Sequence, residues 1–151
     1  MSSTFAQVVG SLKTRAAAQI DMFPARVYWD KDAKPTDLDP NEPFLFMLIE
    51  TDPADYVSFG GGRGNNIKRV DGELQGFVFL PKAWTLEEHA RYGAHVADAF
   101  NAFADEHVSC GAAEPQPAVD GSSLMPPGLE SEVTNWDCTV VVVPFKYDRI
   151  G

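Results

Sequence analysis

Positive charge is scarce in this chain. Twelve Lys and Arg stand against 22 Asp and Glu, a formal net charge of −10 over 151 residues. Holding nucleic acid by neutralising phosphates needs clustered cations, so that class of function is disfavoured. An acidic wall repels phosphates and lets DNA pass without binding it. Cysteine is nearly absent. Cys110 and Cys138 each lie in an apolar or strand-like run and read as two buried thiols; a chain this long does not demand a disulfide. No apolar run is long enough to span a bilayer, so no membrane partner is expected. The N-terminus lacks a basic region followed by an apolar core, and no secretory signal is expected.

Site chemistry is equally sparse. His89 and His95 are six residues apart and do not share a helical face at metal-binding spacing. Asp37-Leu38-Asp39 matches the opening of a calcium loop, but the glycine and closing glutamate are missing. No serine or cysteine sits in a nucleophile context; Cys110 precedes Gly111 inside the strand-like run Val108-Ser109-Cys110. Gly60-Gly61-Gly62-Arg63-Gly64 is glycine-rich, yet it leads to a strand and lacks the Gly-Lys-Ser/Thr ending of a phosphate loop. No catalytic residue, metal site or cofactor is assigned, and the chain is expected not to be an enzyme.

What is present is a globular domain pattern. Apolar residues make up 44% of the chain, and its length fits one domain, residues 1–151. Thr4 or Ser3 is placed to cap a first helix with the stripe Phe5, Val8, Val9, Leu12, Ala16 and Ile20. Phe23-Pro24 breaks it. Arg26 to Trp29 reads as an edge strand. Asp30 to Pro43 is an acidic, proline-punctuated loop. Phe44 to Thr51 is a continuous apolar run, best read as an interior strand. Thr51 to Arg69 is a second long loop, carrying the glycine cluster and Lys68-Arg69.

The stretch from Asp71 to Phe103 organises the rest. Leu74, Gly76, Val78 and Leu80 alternate with Gln75, Phe77 and Phe79, so this strand is expected to be covered on both faces, at least at its far end. Pro81 ends its ladder. Thr85 and Glu88 predict a capping box opening a helix. That helix is expected to bury Leu86, Ala90, Gly93, Ala97, Phe100 and Ala104, flanked by Val96 and Phe103. Glu114 to Gly128 reads as a loop or loosely paired excursion. Glu132 to Tyr147 is a long last strand, with Trp136, Cys138, Val140 and Val142 on one face and Thr139, Val141, Val143 and Phe145 on the other. The fold class expected is α+β: two helices packed on a mainly antiparallel twisted β-sheet in a single small domain.

A short amphipathic helix, a Phe-Pro break, Pro43-Phe44, a Gly-rich loop, Gly72-x-x-Gln75-Gly76-x-Val78-x-x-Pro81, an Ala/Phe-rich helix, and a closing Trp136…Val140-Val141-Val142-Val143-Pro144-Phe145-Lys146-Tyr147 follow one another. In order, spacing and chain length this resembles the tail terminator, or tail-completion, proteins of long-tailed bacteriophages and phage-like particles. The resemblance covers nearly the whole chain. It implies a structural virion protein, assembled in the host cytoplasm as a homohexameric ring at the head-proximal end of the tail. The implied partners are the tail tube protein, whose polymerisation the ring stops, and the head–tail connector or stopper protein. DNA would only pass through the bore. The family brings no catalytic residues. Gly60, Gly61, Gly62, Arg63, Gly64, Lys68 and Arg69 are the candidate subunit or tube interface, the two cations steering the loop toward an acidic neighbour. Two alternatives are another neck or connector protein and, less favoured, a nucleotide-binding enzyme using the Gly60–Gly64 loop.

Overall fold

The computed structural model describes residues 3–23, 26–32, 39–53, 55–56, 66–116, 119–120 and 136–150. Its frame is a pair of fifteen-residue strands, β4 (Ile67–Pro81) and β8 (Trp136–Ile150), antiparallel from Ile67↔Ile150 to Pro81↔Trp136. At the strand rise such a ribbon is about 50 Å long. The two helices, α1 (Phe5–Gln19) and α2 (Leu86–Phe100), are also fifteen residues each, but span only about 22 Å at the helical rise.

The other strands lie against this ribbon. β2 (Phe44–Thr51) pairs antiparallel with residues 72–79 of β4, and β1 (Val27–Trp29) pairs parallel with β2. β3 (Asp55–Tyr56) extends the pairing along β4. On the far side, β5 (Ser109–Cys110), β6 (Glu114–Pro115) and β7 (Val119–Asp120) pair antiparallel with β8. The sheet order is β1-β2-β4-β8-β5. The chain is a small α+β domain with a mixed sheet. β1, expected at an edge, is at the edge, and β2 is interior. The excursion after Gly111 contributes short strands to β8.

Alternation along the strands divides the core in two. Leu45, Met47, Leu74, Val78, Val141 and Val143 face the helices and join Val8, Leu12, Val96 and Phe100 in one cluster. Gly76 is why α2 can approach: a Cβ there would meet Val96 at 3.2 Å, and one at Gly93 would meet Thr139 at 3.2 Å. The opposite face is aromatic. Phe44 stacks on Phe79 with centroids 4.6 Å apart, and Trp136 meets Phe44 edge-on at 5.2 Å; such pairs add about 0.5–1.5 kcal/mol each beyond area burial. The Trp136 indole N–H donates to the Glu42 carbonyl at 3.0 Å, which satisfies its one polar atom.

Helix faces differ from the expected stripes. In α1, Val8, Leu12 and Ala16 are buried, but Phe5 is 46% exposed. Its full capping box is Thr4 with Gln7. In α2, Leu86 is 74% exposed and Ala90 is also exposed, while His89 is buried. The helix is rotated so that His89, Gly93, Val96 and Phe100 face the sheet. Ala104 lies beyond the helix end and is exposed. Thr85 does cap α2 by accepting from the Glu88 N–H at 3.3 Å.

Candidate functional site

The glycine cluster Gly60, Gly61, Gly62, Arg63 and Gly64 lies outside the described residues. Lys68 and Arg69, expected at the end of a loop, lie instead inside β4, opposite Arg149 and Asp148 of β8. The expected loop from Thr51 to Arg69 is thus interrupted by β3 and closed by β4. Pairing is what overrides the turn signals: Asp55↔Arg69 and Tyr56↔Lys68 make the ribbon end three-stranded.

Arg69 is engaged within its own chain. Its Nε and Nη2 donate to the two carboxylate oxygens of Asp148 at 2.9 and 3.0 Å. This planar fork is the geometry in which guanidinium and carboxylate bind best. The Arg69 hydrogen bond holds the Asp148 carboxyl below its usual range, against a smaller opposing effect of burial. Arg69 is therefore a strap across β4 and β8 within its own subunit.

The chain start is tied to the same end. The Ser3 N–H donates to the Asp148 carbonyl at 2.9 Å, and Ser3 Oγ lies 3.1 Å from His107 Nδ1. Glu106 is 3.6 Å from His107 Nε2. A serine, a histidine and a carboxylate in a row invite comparison with a nucleophile relay. Ser3, however, is 3% exposed, so a substrate has no approach to its hydroxyl. Asp105 accepts the N–H groups of His107 and Val108 at 2.8 and 3.0 Å and shapes this turn. Burial pushes its carboxyl up, but those hydrogen bonds and one from Ser11 outweigh burial and leave it low. An open groove of about 560 Å³ runs beside it, between α1 and the turn at Phe103 to His107.

A second polar cluster lies under α2, and the sequence pattern gave no sign of it. Both ring nitrogens of His89 and Oγ1 of Thr139 are buried without a hydrogen-bond partner. His89 Nε2 is 4.0 Å from Asp137 Oδ2, beyond hydrogen-bond reach. Burial lowers the His89 pKa, with Asp137 and Glu88 opposing the shift. The only sequence signal available was that His89 falls four residues before Gly93, which is the contact point with β8.

Both cysteines are free and buried, as expected. Burial pushes the Cys110 thiol up to about 11 and Cys138 higher still, so neither is a reactive thiolate near neutrality. Among the described residues, no three His, Cys, Asp or Glu side chains gather as a metal site, and no helix is long and apolar enough to cross a membrane. No protein-family model matches the chain, and no curated protein matches it in sequence.

Proposed function

We propose that this chain is a structural virion protein: a tail terminator that forms a ring on the head-proximal end of a phage tail tube, stops its polymerisation and offers a surface to the head–tail connector. The finer architecture that goes with this is two helices on one face of a twisted, mainly antiparallel sheet. The observation that carries the reading is the β4–β8 ribbon. The Gly72-to-Pro81 and Trp136-to-Tyr147 motifs, far apart in sequence, are register partners along one ribbon. The parts of the chain that bear the resemblance are therefore one structural unit. The net charge of −10 supports a bore through which DNA slides without being held. The ring is a closed set of heterologous contacts, with hexamer as the proposed size. The partners are the tube protein and the connector, and the site of action is the virion tail after assembly in the host cytoplasm.

The test is a capping assay. Purified protein added to growing tail tubes should halt elongation at one end, and electron microscopy should place one ring there. Unchanged tube growth at saturating protein would refute the reading. If rings form but bind only connector and never tube, the protein is instead a different neck component. Nucleotide-dependent stabilisation of the fold would favour the enzyme alternative built on Gly60–Gly64, because a ligand that binds only the native state raises its melting temperature.

A further inference from the structure

The open groove of about 560 Å³ beside α1 carries opposite charges in its two halves. One wall is α1 from Gln7 to Ala18, about 17 Å at the helical rise. Contacts with the facing turn fix which residues lie where along it. Near the start of α1, Ser3 Oγ is 3.1 Å from His107 Nδ1, and Glu106 is 3.6 Å from His107 Nε2. Midway, the Ser11 hydroxyl bonds the Asp105 carboxylate. Farther along, Arg15 Nε donates to the Ala99 carbonyl at 2.6 Å, and the guanidinium lies over the Phe103 ring at 4.8 Å. The acids Asp105 and Glu106 therefore belong to the half nearer Ser3, and the cation Arg15 to the half nearer Ala18. The Glu106 side chain is 67% exposed, and none of the salt bridges among the described residues uses Arg15. Between the two halves the helix wall is low. Gly10, Thr14 and Ala18 recur every fourth residue and are exposed, and a Cβ added at Gly10 would meet nothing within 4 Å.

We propose that this groove receives a second copy of the chain, with α1 packed antiparallel on α1 about a two-fold axis near Ser11 and Thr14. Antiparallel docking brings the Arg15 half of each copy onto the Asp105–Glu106 half of the other, so two guanidinium–carboxylate contacts form at once. A patch that meets its own copy must be self-complementary, with residue i facing j and j facing i. A groove of one sign throughout could not satisfy that condition, and the opposite charges of the two halves do. Glycine at position 10 lets the helix backbones approach closely. Arg15 is already held by Ala99 and Phe103, so less side-chain freedom is lost when it takes up a carboxylate. The contact goes beyond the terminator reading: it is isologous, so it joins two copies and does not extend a ring of heterologous contacts.

Sedimentation of the full chain tests this. The wild type should dimerise, and the dimer should weaken as salt rises from about 0.1 M to about 1 M, where the screening length falls from ~10 Å to ~3 Å. Glu106→Arg changes an exposed side chain, so the melting temperature should hold while dimerisation weakens about tenfold or more, as loss of a close charge contact does. Gly10→Leu should melt at or above the wild type, because the space beside Gly10 is open and leucine favours a helix, yet it should abolish the dimer by holding the helices apart. Adding Arg15→Glu to Glu106→Arg exchanges the charges on both sides of the contact and should restore dimerisation toward the wild type, an outcome that a purely structural role for Arg15 does not give. If the exchanged chain fails to fold, Gly10→Leu and Glu106→Arg decide alone. A wild type that stays monomeric at high concentration, or whose self-association is unmoved by Gly10→Leu and Glu106→Arg, would overturn the contact. A monomer that still caps tubes would sink this contact alone, and an intact dimer that never caps tubes would sink the terminator reading alone.

Discussion

Gly72 and Gly10 should respond to alanine in opposite directions. Gly72 faces the helix side of β4, at the point where β2 ends its pairing through Thr51↔Gly72. A Cβ built there would lie 2.5 Å from the Glu50 carbonyl oxygen and 2.5 Å from Cζ of Phe145. Ordinary contacts begin near 3.4 Å, so something must move by roughly an ångström. Phe145 is 3% exposed and packed in the main cluster, and Glu50 is held in the β2–β4 ladder. Overpacking of this kind costs about 1–3 kcal/mol. Alanine's smaller unfolded-state entropy returns only about 0.4–1 kcal/mol. Gly10 sits mid-helix in α1 with nothing within 4 Å of its added Cβ. There alanine should stabilise by about 0.5–1 kcal/mol on backbone entropy and helix propensity. A domain of this size shifts by about 2–4 °C per kcal/mol. Thermal melts should therefore place Gly10→Ala above the wild type and Gly72→Ala below it. A Gly72→Ala protein as stable as the wild type would mean that β2 and β4 are not paired at Thr51↔Gly72, and the register would have to be redrawn.

Phe100→Ala should lower stability by about 3–5 kcal/mol, since Phe100 is fully buried in the main cluster; an unchanged melt would place that ring at the surface. His89 is neutral in the fold because burial lowers its pKa, so its contribution is present above the unfolded value near 6.5 and is lost as pH falls below it; His89→Leu should flatten the melting temperature between about pH 6.5 and 5, and a wild-type profile already flat there would refute this. Asp148, held low by Arg69, stabilises above the ordinary carboxyl range and ceases to do so as pH falls through its folded value. Asp148→Asn should therefore remove part of the acid-side loss below about pH 4, read by the same melts; an identical acid limb would show that the fork contributes nothing to stability. Shortening Gly60–Gly64 to a tight turn should leave the melt largely unchanged and weaken ring or tube association; capping at wild-type efficiency would remove that loop from the interface.

Strands were the legible part of this sequence, because a period of two leaves little freedom. Once Phe77 and Phe79 face one way, Leu74, Val78 and Leu80 must face the other, and the two clusters divide along that line. The same alternation placed Trp136 and Cys138 opposite Val141 and Val143. The helix faces were less determined. In α2 the alanines and glycine carry too little apolar weight to fix a rotation, so Leu86 competed with His89 for the inward position. Contact decided it: Gly93 must face β8, where a Cβ would meet Thr139 at 3.2 Å, and His89 lies one turn before Gly93 on that side. The cost is a buried imidazole without a hydrogen bond.

The ribbon end was misjudged for a different reason. Glycines and asparagines ahead of Lys68 marked a loop, and nothing local shows that Asp148, some eighty positions later, will take both nitrogens of Arg69. Strand pairing at that separation is written in no window of the chain. Yet it decides that Arg69 is engaged within its own subunit. Register alone sets Arg149 beside Lys68 and Glu50 beside Glu73. Charges that look scattered in sequence become two opposed pairs of opposite sign once the strands align.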